Sequence, residues 1–292
     1  MDYDISIIIV NFNTKALVKN LLSSIFKSNR KIKVEIIVVD NGSWDGSQEY
    51  IKSTTQNLKL KFILNKQNLG YSAANNQAIK ISHGRYLLFF NSDTLLVEDT
   101  LGKMVRFMDE EKEYGAATCK IELADGKLDM ACHRGFPTPW AALTYFSGLE
   151  KIFPNSKIFA QYHQGWKKLN SIHKIDVISG AFFMIRREIL DKVGYFDEQF
   201  FMYGEDIDLC YRIHRLGYKI CFYPNTKVIH YKKQSGRDKK FTQKDKKIII
   251  KSRKYFYETM KIFYDKHYKN KYPWLLRQLV LLGIWLISRL KR

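Results

Sequence analysis

Four short apolar runs, each ending at a polar cluster, dominate the first hundred residues of this chain. They occupy residues 5–10, 34–39, 60–64 and 86–90. Their β-branched and aromatic residues are typical of buried strands. Apolar residues at helical spacing separate the runs, for example over 15–28. Because alternating strands and helices indicate βαβ units, we predict an α/β fold with a Rossmann-like, mostly parallel central sheet flanked by helices.

Polar residues stand at three of these strand ends. Asn11, Asp40 and Asp93 follow the first, second and fourth apolar runs. In an open α/β sheet, ligands bind beyond the carboxyl ends of the strands, so we expect the three side chains to face one crevice. Taken singly, each residue is also explained as a turn or a helix cap. The chain has no P-loop and no GxGxxG motif, which argues against an ATPase and a dinucleotide-dependent oxidoreductase.

The single carboxylate of Asp93 suits a particular kind of metal site. Mg²⁺ is commonly held by one or two carboxylates together with the phosphates of a substrate. The sequence therefore offers a place for a metal–diphosphate rather than for a structural ion. The turn that begins at Asp40 places another carboxylate where it can accept from a nucleobase or a ribose hydroxyl, and Gly42 leaves the backbone open to close approach.

An acidic cluster follows an aromatic run in the second half of the chain. Glu205, Asp206 and Asp208 precede a pattern of apolar residues at helical spacing, which predicts a helix of about a dozen residues that ends near Gly217. Acids at a helix N-terminus complement the helix dipole, and Asp208 can pair with Arg212 one turn later. The same carboxylates could instead supply a general base.

Several segments together resemble family 2 glycosyltransferases, and within them the rhamnosyltransferase-like branch. The donor-half segments are IIVNFN at 8–13, VVDNGS at 38–43, NLGY at 68–71 and LFFNSD at 88–93. The acceptor-half segments are GAFFMIR at 180–186, GYFDE at 194–198 and the aromatic run before EDIDL at 205–209. The resemblance covers roughly residues 4–231. It implies a GT-A fold, a divalent metal (Mg²⁺ or Mn²⁺) and an inverting transfer of a sugar from a nucleotide diphosphate.

The resemblance also assigns roles to individual residues. It assigns nucleotide-sugar binding to Asn11, Asn13, Asp40, Asn41, Gly70, Asn91, Asp93, Gly180 and Ala181. Asp93 and His230 match metal-binding positions, Asp206 matches the general base, and Glu205 is the second catalytic candidate. Here the metal motif is Asn91-Ser92-Asp93, which lacks the family's first acid, so the number of protein metal ligands stays open. Asp208 is assigned to the support of its helix.

The C-terminal segment carries most of the positive charge. Residues 226–292 contain 20 Lys and Arg against 4 Asp and Glu, whereas the whole chain has a net charge of +20. Helices are predicted over roughly 242–268 and 273–290, and the second has Trp residues and flanking cations suited to an anionic membrane interface. Packing on the chain's own domain is the alternative. The basic loop 232–240 is a candidate lid over the diphosphate, or simply a solvated loop.

We therefore predict a glycosyltransferase domain over 1–231, with a nucleotide-sugar half at 1–100 and an acceptor half at 101–231, followed by a basic helical tail at 232–292. The expected activity is metal-dependent, inverting transfer from dTDP-rhamnose, or alternatively from a UDP-hexose, onto a lipid-linked or cell-surface polysaccharide. The expected location is the cytoplasmic face of the cell membrane. The four cysteines show neither a CxxC motif nor the spacing of zinc ligands, which is typical of the reduced cytosol, and no signal peptide is evident.

Two other classes of protein compete with this interpretation. A nucleic-acid-binding protein is suggested by the net charge of +20, but the charge lies in the tail and no RRM, KH or helix-turn-helix pattern is present, so nucleic acid is not a predicted partner. A catalytically silent sugar-nucleotide binder is disfavoured because Asp40, Asp93 and Asp206 occur together. A homo-oligomer is left open.

Overall fold

The structure is a computed structural model that describes residues 2–28, 31–55, 60–232 and 243–290. Its strands are β1 (Tyr3–Asn11), β2 (Val34–Asp40), β3 (Leu60–Leu64), β4 (Gly84–Phe90), β5 (Thr94–Leu96), β6 (Tyr114–Leu123), β7 (His173–Ile175), β8 (Phe182–Arg186) and β9 (Lys219–His230). Its helices are α1 (Lys15–Lys27), α2 (Ser47–Thr55), α3 (Tyr71–Lys80), α4 (Thr100–Glu110), α5 (Pro139–Phe146), α6 (Leu149–Ile152), α7 (Arg187–Val193), α8 (Glu205–Arg215), α9 (Gln243–His267) and α10 (Trp274–Leu290), with a 3₁₀ turn at Met130–Cys132.

The described strands form one mixed sheet in the order β3-β2-β1-β4-β8-β6-β9-β5, with β7 paired to β9. The predicted strands of the first hundred residues are all present, and β3, β2, β1 and β4 are parallel as predicted. Ile5, Ile7, Ile8 and Ile9 of β1 are completely buried. Burial on both faces of the sheet is why these strands read as continuous apolar runs rather than as alternating ones.

Antiparallel pairing enters the sheet in the second half of the chain. β8 runs antiparallel to β4 on one side and to β6 on the other, whereas β6 and β9 are parallel. The sheet is still mostly parallel, as predicted, because β6 and β9 run in the same direction as the first four strands, whereas β8, β5 and β7 run in the opposite direction. Every residue of β8 is buried, so its apolar pattern indicates a strand but carries no information about its direction.

A bend in β9 carries the end of that strand to the carboxyl edge of the sheet. The register between β6 and β9 slips after Tyr223, which lets Pro224 occupy an unpaired stretch. Beyond the bend, His230 pairs with Thr94 of β5. The Tyr231 N–H also donates to the Asp93 carbonyl at 2.8 Å. The register thus places His230 beside Asp93, which is 137 positions earlier in the chain.

The predicted tail helices are both present as α9 and α10. α9 packs on the body through a small cluster in which Phe263, Tyr264 and Tyr268 surround Phe200. Most of the loop predicted at 232–240 lies outside the described residues. Within the part of the chain that is described, no helix is both long and apolar enough to cross a membrane.

Candidate active site

The ends of β1 and β2 bring two predicted donor-binding residues together. Asn11 pairs with Asp40 in the parallel ladder, and its side-chain amide donates to Asp40 Oδ2 at 2.7 Å. The other oxygen, Asp40 Oδ1, accepts from the Ser43 backbone N–H and from the Gln48 amide, both at 2.8 Å. Both Asn11 and Asp40 are buried. These bonds order the turn after β2, and the contact of Asp40 with a base stays a prediction.

Asn13 offers an unpaired donor beside this turn. Its backbone is left-handed, with φ of 56°, and its N–H donates to Ser43 Oγ at 2.8 Å. The side-chain oxygen accepts from the Trp44 N–H at 2.9 Å. The side-chain nitrogen is buried and has no hydrogen-bond partner among the described residues. A buried unpaired donor costs about 1–3 kcal/mol, a cost that a ligand acceptor would remove.

Asn41 and Gly70 hold the next loop in place. The Asn41 amide donates to Asn68 Oδ1 at 2.9 Å and to the Gly70 carbonyl at 3.1 Å. Gly70 has φ of 92°, and a Cβ there would lie 2.7 Å from the Phe201 carbonyl. That close approach lets the Tyr71 N–H donate to the same carbonyl at 2.7 Å. Both residues therefore dock the donor-half loop against the aromatic run before the acidic cluster.

The Tyr71 hydroxyl joins the two halves of the site. It lies 3.3 Å from Asn91 Oδ1 and 3.4 Å from the Gly180 carbonyl oxygen. A Cβ at Gly180 would lie 3.0 Å from the hydroxyl, so the glycine makes room for this contact, and the neighbouring Ala181 is buried. Burial raises the pKa of Tyr71 far above its usual range, and the charge of Glu205 adds to the shift. Tyr71 is therefore a neutral hydrogen-bonding group, while the approach of a sugar to residues 180–181 stays a prediction.

Asp93, His230 and Asp129 form a chain of hydrogen bonds. His230 Nε2 lies 3.1 Å from Asp93 Oδ1, and His230 Nδ1 lies 2.8 Å from Asp129 Oδ2. Lys232 Nζ is 3.1 Å from Asp129 Oδ1, so this cation of the predicted basic loop is engaged by the buried Asp129. A carboxylate on Nδ1 fixes the histidine tautomer and leaves Nε2 available to a metal.

The structure places Asp93 and His230, the two predicted metal ligands, side by side. Their facing oxygen and nitrogen atoms are ligands that Mn²⁺ accepts, and Asp129 supplies the outer hydrogen bond that metal-bound histidines usually make. In the described ranges, no group of three or more Asp, Glu, His or Cys side chains converges in a way that could hold a metal. The binding of a cation by Asp93 and His230 stays a prediction.

Asp129→Asn is expected to lower the pKa of His230 in the metal-free protein. Burial alone would lower this pKa, but hydrogen bonds to Asp129 and Asp93 raise it to about 9. Because the folded protein then binds a proton more tightly than the unfolded chain, this contribution to stability is complete below about pH 6.5 and is lost as the pH rises to about 9. The variant should lose on the order of 2 kcal/mol at pH 6 and much less at pH 9.

The measurement is an NMR titration of the His230 imidazole, together with denaturant unfolding across the same pH range. Asp125→Asn is the matched control, since Asp125 is a largely exposed carboxylate of the same turn, and it should leave the titration unchanged. An unchanged His230 titration in Asp129→Asn would contradict the proposed hydrogen-bond chain.

The predicted acidic helix begins at Glu205, as expected. The two residues before it, Tyr203 and Gly204, both have left-handed backbone, with φ of 73° and 82°. A non-glycine residue in this conformation is strained, and such strain concentrates at functional sites. This turn directs the start of α8, and Glu205 and Asp206 at that start are both buried.

Glu205 and Asp206 have different partners. Asp206 Oδ2 accepts from Arg134 Nη2 at 2.7 Å, and Oδ1 accepts from the Ile207 N–H at 2.8 Å. One oxygen of Glu205, Oε2, is buried without a hydrogen-bond partner among the described residues. Burial and the charge of Asp206 raise the pKa of Glu205 to about 8. Glu205 is therefore protonated at neutral pH, whereas Asp206 is the member of the pair that contacts Arg134.

Asp208 has the supporting role predicted for it, with additional partners. Arg212 Nε donates to its Oδ2 at 2.9 Å, as the spacing predicted. Its other oxygen, Oδ1, lies 2.7 Å from both Lys266 Nζ and His267 Nε2 of α9. Burial opposes ionisation of the fully buried Asp208, but His267 and the neighbouring cations lower its pKa to about 2. The tail is thus tied to the helix that carries the acidic pair.

Sequence reasoning missed Asp129 and Arg134. Asp129 follows the Asp125-Gly126 turn, a dipeptide typical of hairpins, and this turn brings it back beside the end of β6. That signal was available in the sequence. Arg134 follows a 3₁₀ turn in a stretch with no clear periodicity, and only the tertiary structure shows that it faces Asp206.

Comparison with known proteins identifies the family. A family model described as glycosyl transferase family 2 matches residues 6–194, about two thirds of the chain. The chain belongs to glycosyl transferase family 2. A second model, described as the N-terminal domain of galactosyltransferase, matches residues 160–234. The two matches together include every predicted site residue, whereas α9 and α10 lie outside both.

Curated relatives of this family 2 chain include two rhamnosyltransferases. The rhamnosyltransferase WbbL of Escherichia coli is 25% identical over 79% of this chain and 84% of its own length. The N-acetylglucosaminyl-diphospho-decaprenol L-rhamnosyltransferase of Mycobacterium tuberculosis is 26% identical over 70% of this chain and 69% of its own length. The O-antigen biosynthesis protein RfbC of Myxococcus xanthus is 26% identical, but the chain spans only 18% of that protein. The chain also spans less than two thirds of a Haloferax volcanii hexosyltransferase, at 62%.

Solved structures confirm the predicted GT-A fold. GalNAc-T7 with UDP, GalNAc and Mn²⁺ superposes with a TM-score of 0.60 at 18% identity, over 78% of this chain and 44% of that one. The mannosyltransferase PcManGT of Pyrobaculum calidifontis, in complex with GDP-Man and Mn²⁺, gives 0.57 at 19% identity, over 81% of this chain and 59% of that one. At 18% and 19% sequence identity, these superpositions are evidence for the fold alone.

Proposed function

We propose that this chain is a metal-dependent, inverting glycosyltransferase that transfers a sugar from a nucleoside diphosphate to a glycan acceptor. The observation that supports this most directly is the placement of Tyr71. Its hydroxyl lies 3.3 Å from Asn91 Oδ1, two residues before Asp93, and its backbone N–H donates to the Phe201 carbonyl in the aromatic run before the acidic pair. One residue therefore contacts both the segment that carries a proposed metal ligand and the segment that leads to the proposed base, which suits a single displacement at an anomeric carbon.

Asp206 is the proposed general base. An acceptor hydroxyl would give its proton to Asp206 as its oxygen forms a bond to the anomeric carbon, while the bond from that carbon to the diphosphate oxygen breaks. Asp206 suits this role because Arg134 and the Ile207 N–H hold its carboxyl group in a fixed orientation at the start of α8. Glu205, whose raised pKa keeps it protonated at neutral pH, is suited to donate a hydrogen bond to the acceptor or to Asp206.

Asp93 and His230 are the proposed metal ligands. A bound Mg²⁺ or Mn²⁺ would offset the charge of the departing diphosphate. The chain's own contribution is to orient the two ligands, since Asp129 holds the His230 ring and the Tyr231 N–H holds the Asp93 backbone. Two structural relatives were solved in complex with Mn²⁺, which supports the use of a divalent cation by this chain.

The proposed donor is dTDP-rhamnose, with a UDP-hexose as the alternative. Two relatives are named rhamnosyltransferases, and one of those names specifies a lipid-linked N-acetylglucosamine acceptor. We accordingly propose a lipid-linked or cell-surface glycan acceptor and a peripheral location at the cytoplasmic face of the membrane. The buried, unpaired Asn13 amide and the ordered Asn11–Asp40 turn are the proposed contacts to the nucleotide.

Binding of donors in the presence and absence of metal tests this function. We expect calorimetry to show one nucleotide sugar of a dTDP, UDP and GDP panel bound at least about tenfold more tightly with Mn²⁺ or Mg²⁺ than with EDTA, because a cation held by Asp93 and His230 would offset the charge of the diphosphate. His230→Gln should remove the metal effect. The control is His83→Gln, which changes a half-exposed histidine on another part of the sheet. Metal-independent binding, or no binding of any donor, would contradict the proposal.

A further inference from the structure

The outer face of α10 is apolar. The exposed apolar residues of this helix are Trp274, Leu275, Leu279, Leu282, Trp285 and Leu286, which are between 44% and 70% exposed. At 100° per residue they occupy an arc of about 140° on one side of the helix. A continuous exposed apolar stripe is uncommon on the surface of a soluble protein and marks an interaction site.

The opposite side of α10 contacts the protein. Val280 packs against the cluster that includes Phe263 of α9 and Tyr268 in the turn after it. Arg277 donates to Asp265 Oδ1 of α9 at 2.8 Å, so this side of α10 faces α9. The helix is therefore fixed with its apolar side away from the body, and the apolar stripe is not hidden by the rest of the described chain.

The positive charge around this stripe favours an anionic binding partner. Residues 226–292 hold 20 Lys and Arg against 4 Asp and Glu, and Lys269 and Lys271 are exposed at the turn before the helix. The Arg289 guanidinium lies 5.4 Å from the centre of the Trp285 ring, at the far end of the stripe. A second copy of the chain would bring a net charge of +20 against the same charge. An anionic lipid surface, which is apolar beneath its headgroups, complements both the apolar stripe and the surrounding cations.

We propose that the outer face of α10 docks onto an anionic lipid bilayer, with its Leu and Trp side chains in the interface and its cations among the headgroups. The proposal specifies how the chain meets the membrane on which, according to the proposed function, its acceptor resides. α9 connects this face to the active site, because the Lys266 and His267 side chains bind Asp208 two residues after the proposed base. Docking would therefore hold the acidic pair at a fixed distance from the lipid surface.

Sedimentation of the full chain with vesicles tests the proposal. We expect binding to vesicles that contain phosphatidylglycerol and weak binding to pure phosphatidylcholine. Leu282→Glu should weaken binding by about tenfold or more, because one buried Leu accounts for at least that factor. Leu216→Glu is the matched control, since Leu216 is 50% exposed and Leu282 is 51% exposed, and it adds the same charge elsewhere. The control should bind nearly as wild type does.

Each other outcome would overturn the proposal. Absence of binding to anionic vesicles, or equal binding by Leu282→Glu and wild type, would exclude α10 as the docking face. A dimer in light scattering that Leu282→Glu dissociates would show that a second copy covers the stripe instead. The assay contains neither donor nor acceptor, so its failure is distinguishable from failure of the proposed sugar transfer, which the donor-binding panel measures.

Discussion

Asp206→Asn is expected to reduce sugar transfer by about 10²–10⁴-fold while leaving the dissociation constant of the donor nearly unchanged. Asparagine has almost the same shape but cannot accept the proton of the acceptor hydroxyl. Donor binding should persist because the proposed donor contacts, such as Asn11 and Asp93, lie at strand ends of the sheet, whereas Asp206 lies on α8. Transfer can be measured with a labelled donor and a lipid-linked N-acetylglucosamine acceptor, and donor binding by calorimetry.

Two control variants separate the base from its surroundings. Glu205→Gln should retain transfer within about tenfold, because burial already keeps Glu205 protonated at neutral pH. Arg134→Gln removes the guanidinium that orients Asp206 but keeps the carboxylate, so it should lose less transfer than Asp206→Asn does. If Asp206→Asn keeps a tenth of the wild-type rate, or if Glu205→Gln is equally damaging, the base is another group.

The donor side of this site was largely predictable from sequence. The register of a parallel sheet follows from which runs are apolar, and it places Asn11 against Asp40 without further information. Local signals likewise located the start of α8 and the pairing of Asp208 with Arg212. The direction of β8 could not be predicted, because the long connection from β6 to β8 lacks the regular strand–helix alternation that indicates parallel strands in the first hundred residues.

Contacts between distant segments account for what the sequence did not show. Asp129 meets His230 across 101 positions, and Arg134 meets Asp206 across 72. Neither contact is indicated by a periodic pattern in the sequence. The orientation of α10 was similarly unpredictable, because amphipathic spacing identifies two faces but not which one packs on the protein. Arg277 decides that question through its ion pair with Asp265, a contact that requires α9 and α10 to fold back on each other.

Asp208→Asn is expected to be the most destabilising single substitution proposed here, at about 3–5 kcal/mol. Asp208 is completely buried and is the shared partner of Arg212, Lys266 and His267. Neutralising it would leave the largely buried Arg212 guanidinium without its carboxylate and would weaken the contacts with Lys266 and His267, although Lys266 keeps Asp197. Denaturant unfolding of the full chain measures the change. Asp191→Asn, an exposed carboxylate on α7, should change stability by less than about 0.5 kcal/mol.

The location of the damage distinguishes two roles for α9. If Asp208 anchors α9, amide exchange in the Asp208→Asn variant should accelerate in α9 as well as in the first turn of α8, where the acidic pair lies. Phe201 of the aromatic run also stacks on Tyr255 of α9, with ring centres 4.4 Å apart, so a loosened helix should disturb the loop that Gly70 contacts. If amide exchange accelerates only in α8, Arg212 alone supports this turn, and the contact of α9 with Asp208 does not stabilise α9. Acceleration in both helices would make the tail a structural part of the active site, although it lies outside the family match.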